Sequence, residues 1–234
     1  MKSTVWQDDH PWTHIDWELD DVTPYQLNWF WCNMEKADYL WHPNQHKGFE
    51  WWIGLEQAGG PLGSVHVAPQ TWNDGVQIRP YIKFPRLEDV PAEIRDLIKY
   101  DHVVIAGAIS ILGDDVKPDD PVLGYRVHQW QKSDNGCVGM SSGIEARENA
   151  ADDGLIWAAH AQEEVGNWEV FLPSLVRLYR VITDPQIAPY YSFRVEGRDG
   201  MPGTRSCDRR PCSGLARGKP NVGDALGVMP THST

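Results

Sequence analysis

The sequence predicts an α+β domain in which a curved antiparallel sheet wraps around one long C-terminal helix. Three observations carry this expectation. Short β-patterned segments fill the middle of the chain. Two of them, 123–132 and 137–147, flank Ser133-Asp134-Asn135-Gly136, and Asn-Gly at that place signals a hairpin. A helical pattern then runs from about Leu155 to Val181. A sheet followed by one long helix encloses a cavity between the two layers.

In chain order, residues 1–10 are polar and lack the apolar stretch of a signal peptide. Thr23-Pro24 opens a helix, since Thr caps and Pro suits the first turn. That helix runs through Leu27, Phe30, Trp31 and Met34 and stops near Trp41, before Pro43. Residues 51–56 and 65–68 read as strands, with Pro69 closing the second. Val76, Ile78, Ile82 and Phe84 alternate with Gln77, Arg79, Tyr81 and Lys83, which is the period of one half-buried strand. Residues 91–100 form a short helix with Ile94, Leu97 and Ile98 on one side, and 103–112 a central strand. Pro173 kinks or divides the long helix. From Gly197 onward Gly, Pro, Arg and Ser dominate without a period. The expected organisation is one catalytic domain, 1–196, and a poorly packed tail, 197–234.

At 234 residues the chain can bury a sizeable core. Its net charge of -12 repels phosphate backbones, so nucleic acid is not an expected partner. No apolar run reaches the ~20 residues that span a bilayer, so no membrane partner is expected either, and the expected location is cytoplasmic. Cys32 and Cys137 read as buried thiols, and Cys207 and Cys212 lie in the tail, which is no disulfide framework. Of the twelve Trp, many are expected in the core and some to wall a ligand site.

His160 and Glu164 stand four apart on the long helix and share a face with Trp157, Trp168, Phe171 and Leu175. That face is the apolar stripe. A carboxylate there needs a partner. Two arrangements supply one: a hydrogen bond to His160, or a metal ion held by both side chains. His42 and His46 follow the first helix, and His66 and His128 lie on strands. Each alone reads as an ordinary loop or sheet histidine.

Their order carries more. Thr23-Pro24 with Trp29-Phe30, Trp41-His42-Pro43 with His46, Gly63-Ser64-Val65-His66, His128 eight residues before Gly136, and His160-x-x-x-Glu164 with Phe171-Leu172-Pro173 occur in one series. Over about residues 21–179 this series resembles the diacetylphloroglucinol hydrolase family, which includes phloretin hydrolase. The resemblance implies a Bet v 1-like helix-grip fold and a metal-dependent hydrolase that cleaves a carbon–carbon bond beside a ketone in an acylphenol or polyketide-like aromatic. It implies a zinc ion on His46, Gln70, His160 and Glu164, with Gln70 where the family has Glu. An uncharged Gln leaves the site one unit more positive, and without it two His and one carboxylate remain, a set that also suits Fe2+ or Mn2+. His128, and more weakly His66, are the implied catalytic histidines. Trp41 and Tyr39 are the implied substrate contacts, and a homodimer the implied assembly. A non-hydrolytic cyclase, isomerase or decarboxylase, or a carrier of hydrophobic small molecules, is the alternative on the same scaffold.

Overall fold

The computed structural model describes residues 1–10, 12–113, 115–145, 151–183, 193–198 and 201–206. The chain divides into two compact units, Met1–Tyr179 and Arg180–Thr234. In the first, strands β1 (Lys2–Gln7) and β2 (Thr13–Asp20) precede helix α1 (Pro24–Trp31) and helix α2 (Asp38–Trp41). Strand β3 (Glu50–Ile53), helix α3 (Leu55–Ala58), strands β4 (Val65–Val67), β5 (Gln70–Thr71), β6 (Gln77–Ile78) and β7 (Tyr81–Lys83), and helix α4 (Ala92–Arg95) follow. Strands β8 (His102–Ser110), β9 (Gly124–Lys132) and β10 (Gly136–Glu145) lead into helix α5 (Ala151–Thr183). The second unit contains the end of α5 and a hairpin of β11 (Phe193–Arg198) and β12 (Met201–Ser206).

Eight strands form one antiparallel sheet in the order β1-β2-β10-β9-β8-β7-β4-β3. The expected Bet v 1-like helix-grip is corrected here: the chain builds a wide sheet with β1 and β3 at its edges, together with a C-terminal helix. The N-terminal strands β1 and β2 form one side of this sheet. There Thr13, Ile15, Trp17 and Leu19 are buried; of the residues between them His14 is buried as well, while Asp16, Glu18 and Asp20 are not. This period places β2 on β10, with Ile15 opposite Ser141 and Leu19 opposite Cys137.

Several local expectations also change. The helix expected to reach Trp41 ends at Trp31, because Asn33 donates its side-chain amide to Trp29 O at 2.8 Å and so takes a carbonyl of the last turn. The strand expected over 76–84 splits at Pro80, which has no N–H for the ladder. β6 pairs with β5 in a separate ribbon, while β7 joins the main sheet. The helix expected over 91–100 is only four residues long. Gln129 meets the rest of that segment, accepting from Lys99 N and Tyr100 N and donating to Leu97 O. Pro173 lies inside α5 without dividing it. Cys32 is exposed rather than buried, whereas Cys137 is buried. Hairpin β11–β12 spans the expected boundary at 196/197, and the tail from 207 on lies outside the described residues.

Other local signals hold. Thr23 caps α1, and Gln26 closes the reciprocal bond to Thr23 N at 2.8 Å. Gly136 closes the β9–β10 turn where a Cβ would stand 2.1 Å from Leu19 O. The stripe of α5 buries Trp157, Ala161, Val165, Trp168 and Leu172 in one core cluster with Ile15, Trp17, Leu19, Phe30, Trp31 and Trp41. Trp41 stacks on Trp168 at 5.7 Å, and the Trp31 ring stands 5.9 Å from Trp168. This indole cluster is the floor under the cavity described next.

Candidate metal centre

His46 follows α2, and an isolated antiparallel bridge joins it to Gln70 at the start of β5. His160 and Glu164 come from one face of α5, one turn apart. All three are buried, and one ligand atom from each lies within 4.8 Å of the others. Glu164 Oε1 is 3.1 Å from His46 Nε2 and 3.1 Å from His160 Nε2. Two donors bonded at ~2.1 Å to one tetrahedral ion stand about 3.4 Å apart, so this spacing suits a shared ion. His46 Nε2 is sealed from solvent and has no aligned hydrogen-bond partner. Such an atom needs a partner, and an ion between the three side chains supplies one. The residues therefore fit a metal.

The other nitrogen of each ring is already engaged. His46 Nδ1 lies 3.0 Å from Asp38 O and 3.1 Å from Asp38 Oδ1. His160 Nδ1 lies 2.7 Å from Gln45 Oε1, and Gln45 donates its Nε2 to Asn73 Oδ1 at 2.6 Å. An Nδ1–H donating to oxygen leaves each Nε2 as a lone pair facing Glu164, the tautomer a ligand needs. The His160 ring is held between His42, stacked at 4.5 Å, and Trp72, stacked at 5.3 Å. Burial lowers the pKa of His46, but the contacts with Asp38 and Glu164 outweigh it and raise it to about 10. Burial raises that of Glu164, yet the adjacent His160 and His46 hold it well below the usual carboxylate range. A divalent ion at this centre competes with the proton on His46.

Gln70, implied as the fourth ligand, is brought to the same wall. Its Oε1 accepts from Trp72 Nε1 at 2.6 Å. Glu163 is half exposed and reaches His42 Nε2 at 3.4 Å.

The three residues open on a cavity of about 280 Å³. Its walls are mainly apolar, with Trp31, Trp41, Trp72, Phe84 and Trp157 prominent, and its polar members include His66, His128 and Arg126. His128 is set by Ser141, whose Oγ lies 2.9 Å from Nδ1 and accepts from Trp17 Nε1 at 3.0 Å. Burial lowers the His128 pKa to about 4, so it is neutral at pH 7. His66 stacks between Phe49 and Phe84 at 4.9 and 5.2 Å, and burial with the nearby His46 lowers its pKa to about 3. Trp41 lines the cavity. Tyr39 does not: it is 57% exposed and donates its hydroxyl to Lys47 O. Two residues along a helix turn about 200° away, so Tyr39, expected as a substrate contact, and Trp41 face different ways.

Sequence reasoning missed Asp38, Gln45, Asn73, Ser141 and Arg126. Ser141 had a signal, because a hairpin closing at Lys132 and Cys137 pairs it with His128. Asp38 and Gln45 had none beyond their closeness in the chain to His46.

No family model matches the chain, and no curated protein matches it. Among solved structures it is similar to the crystal structure of protein Ms6760 from Mycobacterium smegmatis, at 17% identity, 73% coverage of this chain, 97% of that chain and a TM-score of 0.51. Protein NE0264 from Nitrosomonas europaea follows at 13% identity, with coverages of 74% and 99% and a TM-score of 0.46. A Rhodobacter sphaeroides protein follows at 12% identity, with coverages of 74% and 99% and a TM-score of 0.49. At such identity the Mycobacterium likeness speaks to fold alone, and it does not confirm a helix-grip. Among the described residues, no helix is long and apolar enough to cross a membrane.

Proposed function

We propose that this chain is a metal-dependent hydrolase that cleaves the bond between an aromatic ring and a ketone carbon in an acylphenol or polyketide-like substrate. The observation that carries the reading is the buried group of His46, His160 and Glu164 opening on an aromatic-walled cavity. The ordered motif series resembling diacetylphloroglucinol hydrolases supplies the substrate class. Zinc is the proposed ion, with Fe2+ or Mn2+ as alternatives for a set of two His and one carboxylate.

When bound, the ion supplies Lewis acidity for a carbonyl and lowers the pKa of water. The chain does the rest. Trp31, Trp41 and Trp157 offer flat apolar walls that bury a ring and exclude bulk water. His128, neutral and held by Ser141, hydrogen-bonds a phenolic oxygen and relays a proton to the ring carbon. Water adds to the ketone carbon, the ring–carbonyl bond breaks as the ring carbon gains its proton, and a carboxylic acid and a phenol leave. His66, its ring stacked between Phe49 and Phe84, is a wall residue in this scheme.

A carrier of hydrophobic small molecules is the second reading, favoured by the apolar walls and by the engagement of Gln70 with Trp72. Incubating metal-loaded protein with acylphloroglucinols and measuring released carboxylic acid decides between them. The hydrolase reading expects acid in step with phenol, and loss of both in His128→Ala. Tight binding of the ketone, recovered unchanged and with no acid released, would favour the carrier.

A further inference from the structure

Asp38 is a carboxylate buried against the outer nitrogen of a candidate metal ligand. It begins a helix of four residues, yet it is 3% exposed. Its Oδ1 lies 3.1 Å from His46 Nδ1, and its own backbone carbonyl lies 3.0 Å from the same nitrogen. Its Oδ2 is sealed and has no hydrogen-bond partner among the described residues. Removing a carboxylate from water costs several kcal/mol unless its charge is matched. The net charge of its surroundings accounts for it. His46 and His160 as ligands are neutral, and Glu164 brings one negative charge. A divalent ion therefore leaves one positive charge uncompensated inside the protein, and Gln70 supplies nothing against it.

We propose that Asp38 is the second carboxylate of the metal centre, a positioning residue that acts through His46. It accepts from Nδ1–H, fixes the ring with Nε2 toward Glu164 and His160, and brings the charge that neutralises a divalent ion. The imidazole transmits that charge, so the ligand becomes a stronger donor without Asp38 touching the ion. Gln45 does the corresponding orienting work for His160 through a neutral amide, so the charge enters on the His46 side alone. This inference rests on the metal centre of the proposed function.

The test is metal affinity rather than turnover. Zinc is competed from the full chain with a chromogenic chelator, for wild type and for Asp38→Asn. Asn keeps the shape and an acceptor oxygen, and removes the charge. Val127→Ala, a truncation in a second apolar cluster formed with Ile105 and Ile144, serves as the control for lost stability. Asp38→Asn is expected to bind zinc about 10- to 100-fold more weakly, and Val127→Ala is expected to melt earlier with unchanged affinity. Equal affinity in wild type and Asp38→Asn overturns the role of Asp38 while leaving the centre intact. An equal loss in Val127→Ala also overturns it, since the effect is then general stability. Failure of the wild type to bind zinc, Fe2+ or Mn2+ removes the centre itself, and the inference with it.

Discussion

His66 and His128 show how strongly burial governs single residues in this molecule. Both are neutral in the folded chain, with pKa values lowered to about 3 and about 4 from an ordinary 6.5. The unfolded chain therefore binds more protons at these two sites between pH 6.5 and those values, so they cost no stability above about pH 6.5 and an increasing amount as pH drops toward 4 and 3. Thermal melts across that range are expected to show the decline. His66→Phe, which keeps a ring between Phe49 and Phe84, is expected to flatten it. An acid limb of the same steepness in that variant would show that His66 does not titrate on unfolding. At this scale the sequence spoke clearly where spacing and burial coincide. His160 and Glu164 stand one turn apart on an apolar stripe, and helical geometry leaves them little choice but to face inward together.

The elements were legible where local chemistry decides them. Thr23-Pro24 starts α1, Asn135-Gly136 turns β9 into β10, and the stripe from Trp157 to Leu172 makes α5. Reading failed where one side chain redirects the backbone. Asn33 ends α1, Gln129 meets the segment after α4, and Pro80 sends β6 and β7 to different sheets. β1 and β2 were overlooked although Ile15, Trp17 and Leu19 alternate cleanly, because polar neighbours on every second position hide a strand when composition is read in place of period. Within β10, Gly139 and Gly143 give indoles room to lie against the strand: a Cβ would stand 2.4 Å from Trp17 at the first and 2.4 Å from Trp157 at the second. Gly143→Ala therefore pushes a cavity wall residue off the sheet. We expect it to cost about 1–3 kcal/mol of stability, read by chemical denaturation, and to weaken binding of an aromatic ligand. Unchanged stability would mean that Trp157 relocates freely.

At the scale of the whole chain, the first unit brings His46 to a helix that begins more than a hundred residues later, and the rings of His46 and His160 have centroids 5.3 Å apart. That meeting could be argued from the sequence only through the order of several weak motifs, since no local rule joins a loop after α2 to the middle of α5. The outer partners Asp38 and Gln45 were invisible for the same reason, as they matter only once His46 and His160 have met. The width of the sheet belongs to this scale too, because it depends on β2 finding β10 across the chain. The proposed chemistry requires that His46, His160 and Glu164 hold one divalent ion. Equilibrium dialysis of the intact chain against buffered zinc, with the bound metal counted by elemental analysis, tests it most directly. The account predicts about one ion per chain for the wild type and none retained by a folded His160→Ala. Zinc held by His160→Ala as fully as by the wild type would contradict it.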